Sequence, residues 1–79
     1  MEILEKILRE VGNRKNLISE FQELIWNDPN SNDIFINLAY ELDFYEPNVE
    51  LRKEDASYFG DERLEEEIIE ALNKLRKQV

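Results

Sequence analysis

Oxygen-bearing side chains crowd the segment Asp28-Pro29-Asn30-Ser31-Asn32-Asp33, with ligand-type residues at positions 1, 3 and 5 of an EF-hand-like calcium loop. Two further requirements of that loop fail. Position 6, which needs glycine for its sharp turn, is Asp33, and position 12, which needs a bidentate glutamate, is Ala39. The segment is therefore expected to be a polar turn that joins two helices and caps the second. Glu66 and Glu70 form a carboxylate pair, but Lys74 follows four residues on, the spacing of a solvated helix face. Nucleophilic catalysis lacks its base: the chain has no histidine and no cysteine, and Ser19, Ser31 and Ser57 have no partner signature. Gly12 and Gly60 are isolated, so no phosphate-cradling loop is expected. These patterns predict no catalytic, cofactor or metal site, and the chain is not expected to be an enzyme.

A different kind of chemistry is offered by AYELDFYEPN, residues 39–48, which mixes aromatic and large aliphatic side chains with three carboxylates and no base. Aromatic residues usually go inside and carboxylates usually stay out. On a helix turning about 100° per residue, Ile34, Phe35, Leu38, Ala39, Leu42 and Tyr45 form one broad apolar sector. Ile36, Tyr40 and Phe44 form a second stripe on the opposite side, bordered by Asp33, Asn37 and Glu41 on one edge and by Asp43 on the other. A surface helix needs only one apolar face. Either this helix is central and packs on both sides, or Tyr40 and Phe44 are aromatic anchors inside an acidic rim. The two combine if Ile36 is buried and the aromatics lie at the border, where a tyrosine can bury its ring and keep its hydroxyl wet.

The charge distribution favours the second reading. Net charge is −9 over 79 residues, and no Lys or Arg occurs from Leu17 to Leu51. That tract holds eight acids, Glu20, Glu23, Asp28, Asp33, Glu41, Asp43, Glu46 and Glu50, while the flanking segments are nearly balanced. Such a region attracts a basic protein and speeds the encounter at low salt. It argues against nucleic acid or anionic lipid as a direct partner, since both require cationic groups to neutralise phosphate. The length allows one domain, residues 1–79, with an expected net stability of roughly 3 to 5 kcal/mol. No apolar run reaches bilayer-spanning length, and MEILEKILRE lacks the order of a signal peptide. The absence of cysteine suits a reducing compartment, so a cytoplasmic location is expected.

The elements that must position these residues read as helices, with no strands. Ile3, Leu4, Ile7, Leu8 and Val11 share a face, and Gly12 stands where a left-handed C-terminal cap belongs, with Asn13 able to cap the next helix. Leu17, Ile18, Phe21, Leu24 and Ile25 mark the second helix, from which Glu20 and Glu23 point away. The third is predicted over residues 31–44, ending before Pro47. The fourth, over 61–77, carries Leu64, Ile68, Ala71, Leu72, Leu75 and Val79 on one stripe. Acids crowd its first half and Lys74, Arg76 and Lys77 its end, as the macrodipole favours. The connector 45–60 is long, with a short helical turn expected at VELRK and packing through Tyr45, Tyr58 and Phe59. The fold class expected is all-α, a compact bundle of about four helices with a long ordered connector before the last.

The tract NLAYELDFYEPN followed by VELRKEDASYFGDE resembles the small immunity proteins of contact-dependent growth inhibition and other polymorphic toxin systems. Their pattern runs Ala-Tyr-Asp-Leu-Asp-Tyr-Tyr-Glu-Pro, then Ser-Tyr-Tyr-Gly-Asp, then a terminal amphipathic helix. The resemblance covers roughly the second half of the chain. Glu41, Phe44 and Phe59 stand where the pattern has Asp, Tyr and Tyr, which keeps acid and aromatic character and loses two hydroxyls. The resemblance implies a monomeric antitoxin that binds a cognate basic toxin domain, often a nuclease, in a 1:1 complex. Asp33, Tyr40, Glu41, Asp43, Phe44 and Glu46 are the partner-binding residues this expectation selects, with the two aromatics as anchors and the acids as ion-pair partners. An acidic DNA-mimic regulator and a helical adaptor are the alternatives. A mimic needs carboxylates spaced along a long surface, which a chain this short provides poorly.

Overall fold

The computed structural model describes residues 2–77. Five α-helices form in chain order: α1 Glu2–Arg9, α2 Arg14–Trp26, α3 Asp33–Glu41, α4 Val49–Arg52 and α5 Asp61–Lys77. Short 3-10 turns, Val11–Asn13 and Leu42–Phe44, close the first interval and extend α3. Each long helix contributes one apolar stripe: Leu4 and Ile7 from α1, Leu17, Ile18, Phe21 and Ile25 from α2, Leu38 and Ala39 from α3, and Leu64, Ile68 and Ala71 from α5. Helices α2 and α5 each pack against both α1 and α3, so one core is enclosed by four helices. Phe21 and Phe35 meet edge to face at 6.1 Å inside it. The radius of gyration is 12.5 Å, against about 12 Å for a compact chain of this length.

The bounds of α5 are those its stripe and charges predict, and α4 forms at the expected VELR turn. Val79, placed on the α5 stripe by its spacing, lies outside the described residues. Helix α3 starts later than the expected residue 31 because Asn32 caps it: the Asn32 side chain accepts from Ile34 N at 2.8 Å. Its far end tightens into a 3-10 turn before Pro47. The turn 27–32 is held locally, with Asp28 Oδ1 accepting from Asn30 N at 2.9 Å and Ser31 Oγ donating to Ile25 O at 3.0 Å. Leu24 and Val11 are corrections to the expected stripes, since both are exposed.

Gly12 is a further correction. It lies in the 3-10 turn without a positive φ and caps nothing in the left-handed manner. The C-terminal carbonyls of α1 are satisfied from the next helix. Arg14, 2% exposed, donates through Nε to Ile7 O at 2.8 Å and through Nη2 to Leu8 O at 3.1 Å. The same guanidinium donates through Nη1 to Asp61 Oδ1 at 2.7 Å and through Nη2 to Glu65 Oε1 at 3.1 Å, which ties α1 and α2 to the start of α5.

The connector 45–60 packs. Tyr45 and Phe59 form an isolated parallel bridge: Phe59 N donates to Phe44 O at 3.0 Å and Glu46 N to Phe59 O at 2.9 Å. Their rings lie 6.4 Å apart and both are buried. Tyr58, expected to pack with them, is instead exposed. Among the described residues no helix is long and apolar enough to cross a membrane.

Candidate functional site

The polar turn sends α3 back along α2, so that Gln22 meets Ala39 and Lys15 meets Glu46. The outer side of this pairing is a seam. At one end the rings of Trp26 and Tyr40 lie 5.9 Å apart, tilted by 46°, with Trp26 50% and Tyr40 61% exposed. Large aromatic side chains are mostly buried in folded proteins, and this pair leaves at least half of its surface uncovered. In the middle, Gln22 Nε2 donates to Ala39 O at 3.0 Å and reaches Asp43 Oδ1 at 3.5 Å. At the other end, Lys15 pairs with Glu46 at 3.4 Å. That pair is worth little in solution because Lys15 is largely exposed. A cleft of about 250 Å³ opens here, between Lys15, Ser19 and Gln22 on one wall and Asp43, Glu46 and Tyr58 on the other.

The six residues selected from the sequence divide between two faces. Tyr40, Asp43 and Glu46 lie on the seam. Phe44, 41% exposed, follows Asp43 in the 3-10 turn. Asp33 is exposed in the first turn of α3, about 10 Å along the helix from Tyr40 and on the same side by helical period. Glu41 lies elsewhere: it lines a groove between α3 and α5 together with Glu67, Glu70 and Lys74. Ile36 packs against the core but is only partly buried, short of the burial the combined reading expects. The acid tract is likewise split, because Glu20 and Glu23 line a third groove with Ile3 and Leu24.

The segment 42–46 that carries Asp43, Phe44 and Glu46 is pinned from beneath. The Tyr45 hydroxyl donates to Asp61 Oδ1 at 2.7 Å, the same oxygen that accepts from Arg14. Burial, together with the bond to the Asp61 carboxylate, pushes the Tyr45 hydroxyl up to about 12. The bonds from Tyr45 and Arg14 hold the Asp61 carboxyl below its ordinary value. Burial alone would lower Arg14, but its bonds to Asp61 and Glu65 outweigh this and raise it. A pinned loop presents its outward side chains with little ordering left to do on binding.

Trp26, Gln22 and Lys15 belong to the seam and are absent from the sequence-derived set. Trp26 stands one residue past Ile25, off the buried stripe and at the last position of α2; a large aromatic in such a place is the signal that could have found it. Among the described residues no group of three His, Cys, Asp or Glu side chains could hold a metal.

An all-α domain with an exposed aromatic pair and a carboxylate-rich seam is the class that fold and site define. In comparisons with protein-family models, with curated proteins and with solved structures, nothing matches the chain.

Proposed function

We propose that the protein is an immunity protein that acts in the cytoplasm and neutralises a cognate toxin domain, a nuclease with a basic cleft, by occluding that cleft in a 1:1 complex. The observation that carries this reading is the exposed Trp26–Tyr40 pair on the same seam as Asp43, on a tract with no Lys or Arg from Leu17 to Leu51. Aromatic anchors ringed by charge are the usual composition of an interface hot spot, and the negative tract supplies steering toward a cationic surface. The inhibitor makes and breaks no bond. It covers the site where the phosphate backbone would bind. The resemblance of residues 37–62 to immunity proteins supports the same reading from the sequence side.

The test is inhibition of the toxin domain that this reading expects in the adjacent reading frame, with affinity, association rate and thermal midpoint measured for the same variants. Trp26→Ala and Tyr40→Ala should each weaken binding by about 2 kcal/mol, chiefly through faster dissociation. Their folding stability should change little, because both rings are at least half exposed. Asp43→Lys should slow association, with a loss that shrinks as salt rises, since screening at 0.15 M acts over about 8 Å. Glu41→Lys, in the groove between α3 and α5, should do less. Unchanged inhibition in Trp26→Ala and Asp43→Lys at low salt would refute the seam as the interface.

A further inference from the structure

We propose that the Trp26–Tyr40 pair is a stacking platform for one arginine side chain of the protein partner, whose guanidinium lies on the open ring faces and turns an edge toward Asp43. The inference rests on the reading of the chain as a binder of a basic protein and names the group that the two rings receive. The rings meet at 46° with centroids 5.9 Å apart, so neither lies flat over the other, and both are at least half exposed. An open ring face is the negative side of the aromatic quadrupole, and tryptophan offers cations the best one.

The charges around the pair select the occupant. Among the described residues the cation that lies over an aromatic ring is Arg63, 5.6 Å from the Phe59 centroid, and no cation covers Trp26 or Tyr40. The nearest cation on α2 or α3 is Lys15, about 16 Å along α2 from Trp26 and already paired with Glu46. Carboxylates are closer. Asp43 follows Tyr40 by three positions, and Gln22, which reaches Asp43 Oδ1 at 3.5 Å, precedes Trp26 by one turn of α2. Asp43 therefore stands about one helical turn along the seam from the rings, and Asp33 lies on the same side of α3 in the other direction. An apolar pocket closing over the rings would bring these carboxylates toward a dry rim without partners, which is costly. A cation satisfies ring faces and carboxylate together. Arginine suits the site better than lysine, because its weakly hydrated plane stacks on a ring while its edge still donates N–H groups. The Tyr45–Asp61 bond and the bridge to Phe59 fix the segment that carries Asp43 beforehand.

The experiment needs no toxin. Two dye-labelled peptides, one alternating glycine with arginine and one alternating glycine with lysine, equal in length and charge, are titrated with the full-length protein at low salt and read by fluorescence anisotropy. The net charge of −9 attracts both. The rings should favour the arginine peptide by about two- to fivefold. Trp26→Leu and Tyr40→Leu keep an apolar side chain and every charge, and each should reduce that preference; the double variant should bind the two peptides equally. Tyr40→Phe keeps the ring and should keep the preference. Trp26 is the single tryptophan, so its emission, read with unlabelled arginine peptide, should change and saturate with the same midpoint. Equal affinity of the parent for both peptides, an arginine preference that survives in the double leucine variant, or a Trp26 emission that ignores the arginine peptide overturns the platform. A toxin domain that is bound and inhibited by a protein without arginine preference overturns the platform and leaves the function standing. An arginine preference that is lost with the rings, in a protein that fails to bind the toxin domain, supports the platform and refutes that function.

Discussion

Replacing Arg14 by Met should remove most of the stability of the fold. The side chain makes four hydrogen bonds, to Ile7 O, Leu8 O, Asp61 Oδ1 and Glu65 Oε1, and it is 2% exposed. Met keeps much of the aliphatic stem, so the loss is mainly polar. The Ile7 and Leu8 carbonyls lose their donor, at about 1 kcal/mol each for a hydrogen bond in this range. The Asp61 and Glu65 side chains are both 46% exposed, so water compensates them and each ion pair contributes no more than about 0.5 to 1 kcal/mol. The expected cost is about 3 kcal/mol. Set against a total of roughly 3 to 5 kcal/mol for a domain of this size, that leaves the variant near its unfolding midpoint in water. Urea unfolding followed by circular dichroism at 222 nm reads the change directly. With a slope of about 1 kcal/mol/M, the midpoint should fall by about 3 M. Arg14→Lys should recover only part of the loss, since one ammonium cannot reach both carbonyls and both carboxylates. A midpoint for Arg14→Met within 0.5 M of the parent would refute the network as a structural element.

Other outcomes follow from the same packing. Ile68→Ala, at a fully buried position on α5, should cost about 2 to 5 kcal/mol in the same urea assay, and a change within 0.5 kcal/mol would mean that this face is not in the core. Stability should fall at both ends of the pH scale. The folded Asp61 carboxyl is depressed, so its contribution is present above the unfolded carboxylate value near 4 and is lost as pH falls through the folded one. The folded Tyr45 hydroxyl is raised to about 12, so its contribution is present below the unfolded value near 10 and is lost between 10 and 12. Tyr45→Phe should flatten the alkaline fall, and an unaltered alkaline profile in that variant would contradict the assignment. A Cβ on Gly60 would meet the Arg52 guanidinium, the mobile end of a long side chain, so Gly60→Ala should cost no more than about 1 kcal/mol in thermal melts.

The helices were legible wherever two local signals agreed. For α5 the apolar stripe and the graded charge give the same bounds, and the structure has them at Asp61–Lys77. For the end of α1 only one signal was available, a glycine in the expected place. The carbonyls there are satisfied instead by Arg14, which reaches back across the turn, and no short-range pattern encodes such a return. Leu24 failed for a related reason. Its spacing puts it near the buried stripe of α2, but α1 and α3 leave that sector uncovered, and the side chain stays exposed. Burial depends on where neighbours stop, and periodicity does not report that.

The mixed stretch AYELDFYEPN resolves once its two destinations are separated. Ala39, Leu42 and Tyr45 turn inward, while Tyr40, Asp43 and Phe44 turn outward. The density of aromatics beside acids is thus two residue sets interleaved on one tight turn, and the buried set fixes the geometry of the exposed one. The Tyr45 hydroxyl is consumed by Asp61, so this ring acts as the clasp of the segment. The sign of the tract's charge was legible, but its face was not. Glu41 differs from Tyr40 by one position and about 100° of helix, enough to carry it from the seam with α2 to the groove with α5. Trp26 shows the converse. It lies fourteen positions before Tyr40 in the chain, outside any local window, yet their rings meet because α3 folds back along α2. A surface assembled from two helices is specified by the packing that joins them, and so its members could be recognised individually, by type and exposure, before they could be recognised together.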